Sequence, residues 1–177
     1  KGSRATHGRP LHSWFAVEPA FIGRETDLQT LSDALDRGEA LVTLTGPAGI
    51  GKTRLARELV HRLSADERPP VFVDLTECRS IDDLLAAVAE ALSLDLPVEE
   101  DASKRVDRIG DAVGGARIVL DNFEQLVPIA SATIGPWLLR GARFVITSRE
   151  ILRLTEERAH ELLPLSLPDA QTPVEDA

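Results

Sequence analysis

The 177 residues contain no methionine, no tyrosine and one cysteine, and only 4% of the side chains are aromatic. A single cysteine, Cys78, excludes an intrachain disulfide and any thiolate metal cluster, so its expected role is a small buried hydrophobe. The histidines at 7, 12, 61 and 160 show no ligand spacing. No apolar stretch nears the roughly twenty residues of a membrane span, and no signal peptide is legible; a cytoplasmic location without a membrane partner is the expectation. Positive charge is also short. Twenty Lys and Arg against 29 Asp and Glu leave a formal charge of −9, the opposite of a nucleic-acid binder's basic footprint, so no direct nucleic-acid contact is expected. With Lys at position 1 and no Met, the chain reads as a piece of a longer protein.

What is present suits one domain with an ordinary core, since 43% of the residues are hydrophobic. Residues 1–13 read as a tail, 14–168 as the folded domain and 169–177 as the start of a linker. Leu28, Leu31 and Leu35 have helical spacing, and Gly38 ends that helix. Strands are expected at 40–45, 71–75, 117–122, 143–148 and 159–165. Between them, "TRLARELVHRL" is a helix buried through Leu55, Leu59, Val60 and Leu63, and Ser80 with Asp83 forms a capping box for the next. Val106, Ile109 and Val113 mark a weaker helix, 123–141 a helix broken at Pro128 and Pro136, and "REILRLT" (149–155) a short one. Strands apolar on both faces, alternating with helices, imply an α/β fold whose parallel sheet is covered on both sides.

The stretch "TLTGPAGIGKTRLA" (43–56) then draws attention, because it sets glycines between a strand and a helix. Gly46, Gly51, Lys52 and Thr53 match G-x-x-x-x-G-K-[ST], with Pro47, Ala48, Gly49 and Ile50 between. In this context the loop's backbone N–H groups and the helix N-terminus can cradle phosphate oxygens. Lys52 is expected to reach the β- and γ-phosphates, and the Thr53 hydroxyl to bind Mg²⁺. Asp121 ends the buried run "RIVLDN" and is the candidate for the other Mg²⁺ contact; the alternative is a capping Asp. Asn122 stands where many P-loop ATPases carry a second acid, and Asn is a poor proton acceptor. Glu124 either compensates for it or is an exposed first-turn Glu. Arg149, after the strand "FVITS", either touches a γ-phosphate or is a surface arginine at a helix start.

Taken together, "FIGRE" (21–25), the glycine loop, "IVLDNFE" and "FVITSRE" resemble the NB-ARC (AP-ATPase) branch of the STAND signalling ATPases, specifically the bacterial subgroup in LuxR- and SARP-type regulators. The resemblance implies a P-loop NTPase domain with a five-stranded parallel sheet of order 5-1-4-3-2. It implies ATP or ADP with Mg²⁺ as ligands, and puts Phe21, Ile22, Gly23, Arg24 and Glu25 beside the adenine and ribose. The family's phosphate loop falls on Gly46 to Thr53, with Arg54 following, its metal-binding acid on Asp121 and its sensor arginine on Arg149. The second acid does not carry over, because Asn122 is there. The implied partners are other domains of the same longer chain: helical and winged-helix domains, with repeats or an effector domain. The expected function is a slowly hydrolysing nucleotide switch, with weak turnover or none in this piece. A switch without hydrolysis, a small-molecule P-loop kinase and a DNA-loading ATPase are the rival readings.

Overall fold

Four of the five strands form where the aliphatic runs lie, and all five end in a polar residue. They are β1 (Leu41–Thr45), β2 (Val71–Asp74), β3 (Arg117–Asp121), β4 (Arg143–Thr147) and β5 (Glu157–Glu161). The computed structural model describes residues 21–97 and 99–165, so the expected tail, the start of the domain at 14 and the linker at 169–177 lie outside the described residues. All pairings are parallel and the order is β2-β3-β4-β1-β5, the order expected from the resemblance. The register aligns Asp74 with Asp121 and Leu120 with Ile146. The polar strand ends therefore share one carboxyl edge, where ligands bind in open α/β sheets.

Helices cover both faces of the sheet. On one, α1 (Glu25–Asp36) and α2 (Lys52–Arg62) bury Leu28, Leu31, Leu35, Leu55 and Leu59 against Val42, Leu44, Val119 and Val145. On the other, α3 (Ile81–Ala91), α4 (Ala102–Ala112) and α5 (Ala130–Leu139) pack on Ile118, Leu120, Phe144 and Ile146. Alternate residues of β3 and β4 thus enter different cores, which is why the three central residues of each strand are all apolar. The Trp137 ring stacks on Phe144 with centroids 6.1 Å apart, and its indole N–H donates to the Val106 carbonyl at 2.8 Å. Cys78 is buried, and burial followed by the charge of Asp83 pushes its thiol up, as suits an inert hydrophobe.

The capping box forms as the sequence predicts. Ser80 Oγ accepts from the Asp83 N–H, while Asp83 Oδ2 accepts from the N–H groups of Arg79 and Ser80, both at 2.9 Å. Replacing Ser80 with Ala is expected to cost about 1 kcal/mol in urea unfolding. The hydrogen bonds from the Arg79 and Ser80 backbone and the Ser80 side chain hold the Asp83 carboxyl below its ordinary range. A depressed folded pKa gives stability that is present above the unfolded value, about 3.9, and is lost as pH falls through the folded one. Asp83→Asn should therefore lower the urea midpoint at pH 7, and its deficit against the parent should shrink steadily under acid.

Three expectations are corrected. Residues 149–155 form no helix: Glu157 accepts from the N–H groups of Leu152 and Arg153 at 2.8 and 2.7 Å, and Arg153 has φ of 62°. A carboxylate four and five residues on thus satisfies amides that a helix would have used. β5 starts two residues before the expected strand and stops at Glu161, because pairing with β1 sets its register. It is an edge strand with an exposed, charged pattern, so the apolar signal lay beyond it, in buried Leu162 and exposed Leu163 and Leu165. Finally, Pro128 falls in a 3₁₀ helix (Phe123–Ile129), but Pro136 does not break α5. Ile134 and Trp137 on either side of it are fully buried, and that packing outweighs the missing N–H.

Candidate functional site

The loop after β1 turns on its glycines. Gly51 has φ of 104° as it leads into α2, a left-handed conformation that L side chains resist. At Gly46 the need is space, since a Cβ there would sit 3.0 Å from the Leu162 carbonyl oxygen. α2 begins at Lys52, so the helix N-terminus and its first-turn N–H groups open at the carboxyl edge of the sheet. The Lys52 ammonium is buried against the loop, donating to the carbonyls of Gly46 at 2.8 Å and Pro47 at 3.1 Å.

One residue further along, the Thr53 hydroxyl lies 3.1 Å from Asp121 Oδ1. Asp121 is fully buried, and the Thr147 hydroxyl donates to the same oxygen at 2.5 Å. Burial pushes the Asp121 carboxyl above its ordinary range, against the pull of the Thr147 and Thr53 hydroxyl hydrogen bonds. A hydroxyl and a carboxylate oxygen side by side are donors of the hard type that Mg²⁺ takes, usually together with substrate phosphates. The left-handed loop, the buried ammonium and this oxygen pair fit a magnesium-bound polyphosphate.

Asn122 adopts a left-handed backbone, which Asn tolerates better than most residues. Its side-chain amide donates to Thr76 Oγ1 at 2.8 Å and Asp121 Oδ2 at 3.2 Å, and its N–H donates to Thr147 Oγ1 at 2.9 Å. This residue steadies Asp121. Glu124 and Arg149 meet at 3.4 Å across a cleft of about 470 Å³ that Gly51, Lys52, Thr53 and Asn122 also line. Arg149 is thus at the phosphate loop, on an exposed turn rather than at a helix start.

"FIGRE" is tied to the same loop. Arg24 donates to the Ile50 carbonyl at 3.2 Å, and the Arg54 guanidinium lies over the Phe21 ring, 5.9 Å from its centroid. Gly23 donates its N–H to Glu25 at 3.2 Å, whereas Ile22 is exposed and belongs to neither core. No sequence motif marks Asp74 and Arg57, which meet in an ion pair. Asp74 ends an apolar strand as Asp121 does, and the rule that singled out Asp121 would have found it. Burial raises the Asp74 carboxyl, but the Thr76 hydroxyl and amide, with Arg57 and Asn122, hold it below its ordinary range. Arg57 lies 3.9 Å from Asp74 and over the Phe72 ring at 5.7 Å, and it lines the cleft.

A parallel sheet of this order, a glycine loop opening the helix after β1 and an acid ending β3 define a P-loop α/β ATPase domain. The chain belongs to the AAA ATPase domain family, whose family model matches residues 20–163. Uncharacterized proteins of Mycobacterium tuberculosis and Mycobacterium bovis are 33% identical over 153 residues, covering 84% of this chain and 38% of theirs. The chain thus spans well under half the length of those curated relatives. Among solved structures, Cdc6p from Pyrobaculum aerophilum aligns with a TM-score of 0.62 at 18% identity, over 78% of this chain and 42% of that one. The Aeropyrum pernix ORC2 protein, determined as ADPNP–ADP complexes, aligns at 0.57 and 14% identity, over 81% and 49%. At these identities the likeness is one of fold. Among the described residues, no helix is long and apolar enough to cross a membrane.

Proposed function

We propose that this domain binds ATP or ADP with Mg²⁺ and acts as the slowly hydrolysing switch module of a larger signalling or transcription-regulating ATPase of the NB-ARC type. The observation that carries the reading is the Thr53–Asp121 oxygen pair, set beside Lys52 at the mouth of the glycine loop. In this reading Thr53 and Asp121 hold the metal, which when bound neutralises charge across the β- and γ-phosphates. The loop from Gly46 to Thr53 presents N–H groups to the phosphates, and Lys52 leaves its two carbonyls to reach them. In this reading Phe21 and Gly23 serve the nucleoside, supported by Arg54, which lines the cleft and lies over the Phe21 ring. The attachment to helical, winged-helix or effector domains rests on the motif resemblance and on the greater length of the relatives.

Arg149 is the reader of the terminal phosphate. Its partner Glu124 holds it only through a half-exposed ion pair, and such pairs contribute little, so a phosphate can displace it. A charge-assisted hydrogen bond is worth about 1.5–3 kcal/mol, so Arg149→Ala should weaken a non-hydrolysable ATP analogue by about ten-fold or more while sparing ADP. Calorimetry with both nucleotides on parent and variant tests the assignment. Equal losses for the two, or none, would return Arg149 to a surface role, and a parent that binds neither would end the nucleotide reading.

A second reading, binding without hydrolysis, draws support from Asn122. Its amide is engaged with Asp121 and Thr76, so it supplies no base to an attacking water. Single-turnover measurements on the longer protein separate the two readings.

A further inference from the structure

Arg24 belongs to a chain of contacts that joins the edge strand to the phosphate loop. His160 on β5 meets Asp27 Oδ1 on α1 at 2.9 Å; a carboxylate only accepts, so His160 Nε2 carries the proton. Asp27 Oδ2 in turn accepts from Arg24 Nη1 at 3.2 Å, and Arg24 Nη2 donates to the Ile50 carbonyl at 3.2 Å. The Arg24 side chain is only 11% exposed, so its two-point hold is shielded from water. In a trans peptide the carbonyl and the next N–H point in opposite directions. Holding the Ile50 carbonyl toward Arg24 therefore turns the Gly51 N–H away from it, and Gly51 lines the cleft.

We infer that Arg24, Asp27 and His160 form a positioning relay that fixes the Ile50–Gly51 peptide so that its N–H faces the phosphates, coupling strand β5 to nucleotide affinity. This rests on the proposed nucleotide site, but it assigns Arg24 a task on the loop rather than on the adenine. Lys, a point charge, cannot hold Asp27 and the carbonyl with the fixed fork that Arg offers.

The test is calorimetry of ADP–Mg²⁺ on the 177-residue chain, with the Gly51 amide resonance followed in ¹⁵N-labelled protein. Arg24→Ala should weaken ADP by about ten-fold, and Asp27→Ala and His160→Ala by about three-fold each. His160→Gln, whose amide can donate to Asp27, should restore most of the loss. The three alanine variants should also shift the Gly51 resonance before any nucleotide is added. A large effect of Arg24→Ala with none from Asp27→Ala or His160→Ala would overturn the relay, leaving Arg24 in direct contact with nucleotide. Should the parent bind no ADP, the proposed site fails, and the ligand-free Gly51 resonance still decides the relay. An unshifted resonance in all three alanine variants sinks it. His160 is on an edge strand, so its variants test the idea even if Arg24→Ala folds poorly.

Discussion

Lys52→Ala should abolish the rise in melting temperature that ADP–Mg²⁺ gives the parent. A ligand at a hundred times its Kd stabilises a fold by about 2.7 kcal/mol. For a domain of this size, that corresponds to a rise of about 5–10 °C. The ammonium makes two hydrogen bonds to loop carbonyls, at Gly46 and Pro47, and among the described residues no ion pair with a carboxylate. Its removal therefore costs the ligand-free protein little, because the carbonyls of this exposed loop can turn to water. The variant should melt close to the parent without nucleotide and fail to respond when it is added. An equal response in both proteins would mean that phosphate is not held at this loop.

The second large effect is expected at Asp121, where stability and ligand binding should move in opposite directions. The carboxyl is fully buried and its pKa is raised, so the folded protein holds this proton more tightly than the unfolded chain does. The sign follows directly: stability from this group is fully present below the unfolded pKa and is lost as pH rises through the folded one. At neutral pH the buried charge is a cost. Asp121→Asn removes it while keeping the shape, so the ligand-free variant should melt at or above the parent at pH 7.5. That advantage should narrow as pH falls through the raised folded pKa, where the parent's buried carboxyl takes up its proton, and level off near the unfolded value of about 3.9. The same substitution removes a charged oxygen from the pair with Thr53, and the gain in ATP affinity that Mg²⁺ provides should fall by about ten-fold or more. Melting curves across pH, and calorimetry with and without Mg²⁺, read the two effects separately. A variant that is destabilised yet still responds fully to Mg²⁺ contradicts both parts.

Residue order alone determined the elements whose signals are local. The glycine loop, the capping box at Ser80 and Asp83, and the aliphatic strands β1, β3 and β4 all form where the sequence places them, because each depends on neighbours within a few residues. Asp121 was legible too, as an acid closing a buried strand. Tertiary structure decided what depends on partners far along the chain. β5 took its register from β1 rather than from its own apolar residues; nearer by, 149–155 lost its expected helix because the Glu157 carboxylate, four and five residues on, accepts from the Leu152 and Arg153 N–H groups once β5 holds it in place. Pro136 stayed inside α5 because Trp137 packs on Phe144 across the core. The same holds for the site: Asn122 turned to Asp121 and Thr76, and Arg24 to the Ile50 carbonyl 26 residues away. Period and propensity report which face a residue shows, whereas a hydrogen-bond partner is fixed only when the sheet brings distant strand ends to one edge.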